Sequence, residues 1–179
     1  MALTFGPPPR DERLTSEALT TDRLMVVTPV GHRLASYDEV DGADLRGGPF
    51  LATPESCGFR EMLDGLIASL GADAPVIDAE LASMAALCQC AAAGMGCALL
   101  PETAAAGPAA RGEVAAVPLT GPTPHTDVTM TWLRGAERRP SVSAFLTTAR
   151  AHFAPAAPAP DPGSLRSARA APRDAVGGA

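Results

Sequence analysis

The side chains best suited to chemistry here are four cysteines and three histidines, and their spacing limits what they can do. Cys88 and Cys90 stand two apart in an alanine-rich run of helical period. That directs them about 200° apart around the axis, so they cannot close on one ion as a pair. Cys57 and Cys97 lie elsewhere, and the close-spaced ligand pairs of a tetrahedral site are missing. The cysteines therefore read as small buried apolar residues. Cys57 is the exception: it falls in the first turn of a predicted helix, where the positive end of the dipole makes a thiol a candidate for ligand contact or oxidation. His32 has no second ligand or nucleophile at usable spacing and reads as a solvated turn residue. Gly94-Met95-Gly96 imitates the start of a dinucleotide fingerprint, but these glycines follow a helix and precede a strand, the reverse of the required context. No G-x-S-x-G elbow, P-loop or H-E-x-x-H is present, and a triad dispersed along the chain would leave no such signature. Neither catalysis nor a metal or cofactor is expected.

Binding is better supplied. Thr53-Pro54-Glu55-Ser56-Cys57-Gly58 leads into a helix starting near Phe59, whose free N–H groups suit a carboxylate or phosphate. A second loop, Glu80-Leu81-Ala82-Ser83, opens another helix at Met84. Both loops follow strands, and ligands of open α/β sheets gather at the carboxyl ends of the strands. Small polar side chains and backbone donors are what recognition of a small organic acid needs. Thr53, Pro54, Ser56, Cys57, Gly58, Phe59, Leu81, Ser83 and Met84 are the candidate contacts. The competing reading makes Thr53, Ser56 and Ser83 helix caps only, and one residue can serve both ends. Glu55 weakens the case for an anion unless it points away.

The elements that carry these loops are legible in order. Ala2-Leu3-Thr4-Phe5 reads as a strand stopped by Gly6-Pro7-Pro8-Pro9. Leu24–Thr28 is a continuous apolar strand of the kind buried on both faces. Asp44-Leu45 forms a short helical turn, and Pro49–Thr53 is the next strand. Phe59, Met62, Leu63, Leu66, Ile67 and Leu70 fall on one helical stripe that Gly71 ends; either Thr53, with Pro54 at the first helical position, or Ser56 caps it. Val76-Ile77 is a strand, and Met84, Leu87, Cys88, Ala91 and Met95 form a second helical stripe. Cys97–Leu100 is a buried strand closed by Pro101. Strand, helix, glycine turn and strand make a βαβ unit with parallel strands. A short helix follows in 102–112, then a strand over Val114–Leu119. In 126–133, Val128, Met130 and Trp132 share one face of a half-buried strand. Pro140 opens a last helix with Val142, Phe145, Leu146 and Ala149 inward. From Ala154 on, the Pro/Ala-rich tail has almost nothing to bury and is expected to be disordered.

Composition narrows the class. The 179 residues allow one ordinary domain or two small lobes, with 46% hydrophobic content but only one Trp, one Tyr and five Phe. The net charge is −6, and all 14 basic residues are arginine, so no polybasic surface for nucleic acid is expected. No apolar run approaches the roughly 20 residues that cross a bilayer, and no secretion signal is read at the N-terminus. A cytoplasmic location with reduced cysteines is expected.

Glu80-x-x-Ser83, the alanine-rich helix after it, Ala93-Gly94-Met95-Gly96 and Leu100-Pro101 together resemble the effector-binding domain of LysR-type transcriptional regulators. Gly31-His32-Arg33-Leu34-Ala35 is similar to the family's His-Pro-Leu-Ala turn, with arginine in place of proline. The resemblance covers about residues 2 to 153 and rests on the ordered set rather than on any one motif. It implies an α/β fold of the type 2 periplasmic-binding-protein-like class, with one complete Rossmann-like lobe and remnants of a second. Residues 1–29 would be a remnant of the first lobe and an outgoing hinge strand, 30–122 the complete effector-binding lobe, 123–153 the return strand and terminal helix, and 154–179 the tail. Leu24–Thr28 and Asp127–Trp132 are expected to run side by side as the bridge. The resemblance places a small-molecule effector between the lobes, with Thr4 and Phe5 lining the cleft from the residual lobe. DNA would be reached only through a helix-turn-helix absent from this chain, and a homo-oligomer is implied for the full-length form. The alternatives are a stand-alone solute-binding protein of similar fold and a non-functional gene fragment; a frayed terminus is the alternative for Ala2–Phe5. Leu3, Phe5, Trp132 and Phe145 are expected to lack partners, leaving the isolated chain poorly soluble or dimeric.

Overall fold

Apolar runs with no helical period become strands covered on both faces, and three of them show how the core is built. The computed structural model describes residues 1–55, 57–71 and 74–154. Within these, the order is β1 (Ala2–Phe5), β2 (Leu14–Thr28), β3 (Pro49–Ala52), α1 (Gly58–Leu70), β4 (Val76–Glu80), α2 (Met84–Ala92), β5 (Cys97–Pro101), α3 (Glu102–Ala110), β6 (Ala115–Pro118), β7 (His125–Leu133) and α4 (Pro140–Phe153). Successive strand residues point to opposite faces. Leu24 and Val26, Phe50 and Ala52, and Cys97 and Leu99 therefore go to one core with Phe59 and Leu63 of α1. Met25 and Val27, Leu51, and Ala98 and Leu100 go to a second core with Leu87, Cys88 and Ala91 of α2 and Ala105 of α3. A sheet sandwiched between helices follows directly from that alternation.

The strands form one sheet in the order β1-β7-β2-β5-β3-β4, with β6 also paired to β2. β3 lies between β4 and β5 and runs parallel to both, so the expected parallel relation of the βαβ strands is reached through an intervening strand. β2 is antiparallel to β5, β6 and β7. Gly96 lets β5 start close to β3: a Cβ there would lie 2.8 Å from the Pro49 carbonyl oxygen.

Several expectations are corrected. The outgoing strand begins at Leu14, ten residues before the apolar run, because Thr15, Thr20 and Thr21 suit a half-exposed pleated surface. Its first part pairs with β7, from Leu14 opposite Leu133 to Arg23 opposite His125, while Leu24–Val27 pair with β5. The return strand thus runs beside 14–23 rather than beside Leu24–Thr28. It is buried on both faces from Val128 to Trp132, with Thr129 and Thr131 covered as well, so it is not half-buried. Trp132 does not lack partners: it packs with Met130, Leu146 and Ala149, with Val142 and Phe145 of α4 beside them, and its indole N–H donates to Glu137. Leu3 is 44% exposed. Met95 leaves the predicted stripe, standing 52% exposed in the turn after α2. His32 is half-buried rather than solvated: it caps a 3-10 turn over Arg33–Ser36, its Nδ1 accepting from the Leu34 N–H. The tail after Ala154 lies outside the described residues. No helix among the described residues is long and apolar enough to cross a membrane.

Candidate functional site

The carboxyl ends of β3 and β4 and the amino ends of α1 and α2 converge because β3 and β4 are parallel neighbours, Ala52 opposite Glu80. The pairing continues past β4, where the Leu81 N–H donates to the Ala52 carbonyl oxygen at 2.9 Å. Thr53 follows β3 and is 5% exposed. Its hydroxyl oxygen is buried and has no hydrogen-bond partner among the described residues. A buried hydroxyl with no partner costs about 1–3 kcal/mol.

Of the two predicted caps for α1, Thr53 makes no cap bond, its hydroxyl being unpartnered among the described residues. Cys57 is the N-cap residue and makes no side-chain cap bond, and Ser56 lies outside the described residues. The approach is instead closed by backbone: the Cys57 N–H donates to the Pro54 carbonyl oxygen at 2.9 Å and the Arg60 N–H to the Cys57 carbonyl oxygen at 2.8 Å. Ser83 likewise precedes α2 without a side-chain cap bond and is exposed.

Four of the predicted contacts border the same core. Phe59 belongs to the core shared by β3, β5 and α1, and Phe5, Cys57 and Met84 are partly buried against it. The Phe5 and Phe59 rings stand edge to face, 6.4 Å apart. Leu81 turns to the opposite core, and Pro54 is half-buried between Thr53 and the turn. Gly58 is the first residue of α1. Thr4 is exposed, its hydroxyl donating to the Thr129 carbonyl oxygen at 3.4 Å. With Phe5 it lines a groove of about 910 Å³ over β1 and β7, bordered by Glu61, Leu14 and Trp132. Thr53, Cys57, Leu81, Ser83 and Met84 do not line that groove, so the residues divide into a groove group and a strand-end group.

Sequence reasoning missed Arg60. It is 7% exposed and sits in the first turn of α1. Its Nη1 donates to the Thr53 carbonyl oxygen at 2.8 Å and to Glu80 Oε1 at 2.7 Å, and its Nε to Asp64 Oδ1 at 2.7 Å. The hydrogen bonds to Glu80 and then Asp64 raise its pKa above the ordinary arginine value, so the charge is permanent. The signal available in the sequence was a cation in a helix first turn, against the dipole, with Asp64 four residues on.

Three further reactive groups are covered wholly or partly by the fold: Cys88, Cys97 and His32. Burial pushes the thiols of Cys97 and Cys88 up, away from the thiolate. Cys97 Sγ lies 3.9 Å from His32 Nε2, and burial, then the Arg33 charge, holds His32 below its usual pKa. Among the described residues no three His, Cys, Asp or Glu side chains are grouped to hold a metal.

The family model for the LysR substrate binding domain matches residues 1–154. The chain belongs to that family. Its fold is the type 2 periplasmic-binding-protein-like fold of LysR effector-binding domains: the effector binding domain of QuiR in complex with shikimate superposes with a TM-score of 0.73 at 20% identity, covering 84% of this chain and 71% of that one. The regulatory domain of CcmR from Synechocystis PCC6803, in complex with 2-PG, gives a TM-score of 0.73 at 22% identity over 85% of this chain and 73% of that one. The transcriptional dual regulator GltC of Bacillus subtilis is 33% identical over 100 residues, 55% of this LysR-family chain. The chain spans about a third of that relative's length.

Proposed function

We propose that this chain is the effector-sensing region of a cytoplasmic LysR-type transcriptional regulator and that it binds a small carboxylate-bearing metabolite without catalysis. The observation that carries the reading is the buried, unpartnered Thr53 hydroxyl at the carboxyl end of β3, beside the start of α1. An acid there would accept from the Thr53 hydroxyl and from first-turn N–H groups other than that of Arg60, which donates to Cys57, with Pro54, Ser56, Cys57, Gly58 and Phe59 around it. Leu81, Ser83 and Met84 would bound it from the α2 side. Thr4 and Phe5 would border it from β1 through the Phe5–Phe59 contact. Shikimate, held by the QuiR domain, is itself a carboxylate, which supports the ligand class.

In this reading residues 30–122 are the sensing lobe, and 1–29 and 123–153 are its connections. Occupancy would favour one arrangement of a homo-oligomer and so bias a DNA-binding helix-turn-helix carried outside this chain. The test is isothermal titration of the 179-residue chain with shikimate, 2-PG and inorganic phosphate. Saturable binding of an acid that Thr53→Val weakens by about tenfold supports the site. Binding untouched by Thr53→Val overturns it.

A further inference from the structure

An arginine in the first turn of a helix opposes the dipole and needs anions close by. Arg60 has two, Asp64 and Glu80, each at 2.7 Å. The three differ in freedom: the Arg60 side chain is 8% exposed, whereas those of Asp64 and Glu80 are 49% and 45% exposed. The cation is fixed and its partners face solvent. Arg60 Nη1 divides its hydrogens between Glu80 and the carbonyl oxygen of Thr53, the same residue whose hydroxyl is unpartnered.

Resting on the effector site proposed above, we propose that Glu80 stands in for the effector's own carboxylate: an arriving acid accepts from Arg60 Nη1 and the Thr53 hydroxyl, and Glu80 swings out into water. One carboxylate leaves as another arrives, so the buried guanidinium never loses its counter-charge, the loss that makes breaking such pairs costly. Glu80 gives up little, because a half-exposed carboxylate is readily hydrated. The exchange also supplies a signal. Glu80 is the last residue of β4, and Leu81–Ser83 connect it directly to α2. Releasing Glu80 frees that segment on one side, while the Leu81 N–H still holds it to Ala52 on the other. Specificity follows too: neutral analogues of the acid cannot take Glu80's place and are rejected.

The experiment uses the 179-residue chain and titrates shikimate, 2-PG and inorganic phosphate into the wild type, Glu80→Gln and Thr53→Val. A neutral amide competes less for Arg60, so Glu80→Gln binds the acid about tenfold more tightly. In the wild type the side-chain carboxyl carbon resonance of Glu80, assigned by its absence from Glu80→Gln, moves to a solvent-exposed value at saturation. An acid whose binding needs Thr53 but is unchanged or weakened in Glu80→Gln, with a stationary Glu80 resonance, overturns the exchange and leaves the effector site standing. Binding that survives Thr53→Val, or no saturable binding of the three probes to the wild type and to Glu80→Gln, overturns both.

Discussion

Asp22 Oδ2 accepts a hydrogen bond from the Thr103 hydroxyl at 2.6 Å, tying the middle of β2 to the first turn of α3. The Thr103 N–H points to the same oxygen at 3.4 Å. Pro101, the residue before α3, offers no side-chain cap, so Asp22, 8% exposed, caps the helix from another element. Asp22→Ala is expected to lower stability by about 1–2 kcal/mol, the range for loss of a helix cap with a charged acceptor. Urea unfolding measures it, and a change within about 0.5 kcal/mol defeats the capping role.

Gly96 and Gly94 make a matched pair of tests. Both have positive φ, but only at Gly96 would a Cβ meet backbone, 2.8 Å from the Pro49 oxygen, whereas at Gly94 nothing lies within 4 Å. Gly94→Ala should lose about 1 kcal/mol for its conformation alone. Gly96→Ala adds about 1–3 kcal/mol, because β3 cannot retreat without disturbing Phe50 and Leu51 opposite Cys97 and Ala98. Equal losses in the two variants would mean that the β3–β5 contact is not tight.

The half-buried His32 gives stability a pH dependence. Its folded pKa lies below the ordinary 6.5, through burial first and the Arg33 charge second, and its Nδ1 must stay unprotonated to accept from Leu34. A base with a depressed folded pKa contributes stability that is complete above the unfolded value. That contribution declines as pH falls through about 6.5 towards the folded pKa, then levels once both states are protonated. Unfolding midpoints of the wild type should therefore fall faster between pH 7.5 and 5 than those of His32→Gln. Parallel curves would exclude His32 as the source.

The core was legible because both-face burial leaves a plain trace. Leu24–Thr28, Phe50–Ala52 and Cys97–Leu100 are unbroken apolar runs, and the α1 stripe from Phe59 to Leu70 repeats at helical spacing. Leu14–Arg23 was not legible, since its threonines and charges look like a loop until β7 supplies the pairing. His32 was misread for a related reason: what covers it is β5, 65 residues away at Cys97. At the site, the two loops could be read from cap-like residues, but the caps themselves could not. Arg60 escaped because its decisive partner, Glu80, is 20 residues on and meets it only once β3 and β4 are side by side.

β2 joins the two ends of the sheet as one unbroken 15-residue strand, and it carries a single irregularity. Ala18 faces Thr129 and Thr20 faces Val128, so Leu19 has no opposite number and rests against the α4 cluster. The extra residue lies inside the stretch paired to β7, where a bulge bends the strand and sharpens its twist locally without touching the pairing to β5. The side chain displaced by that bulge becomes an anchor for the last helix: α4 is held to β2 by Leu19 in the apolar cluster and by the Glu17–Arg150 ion pair.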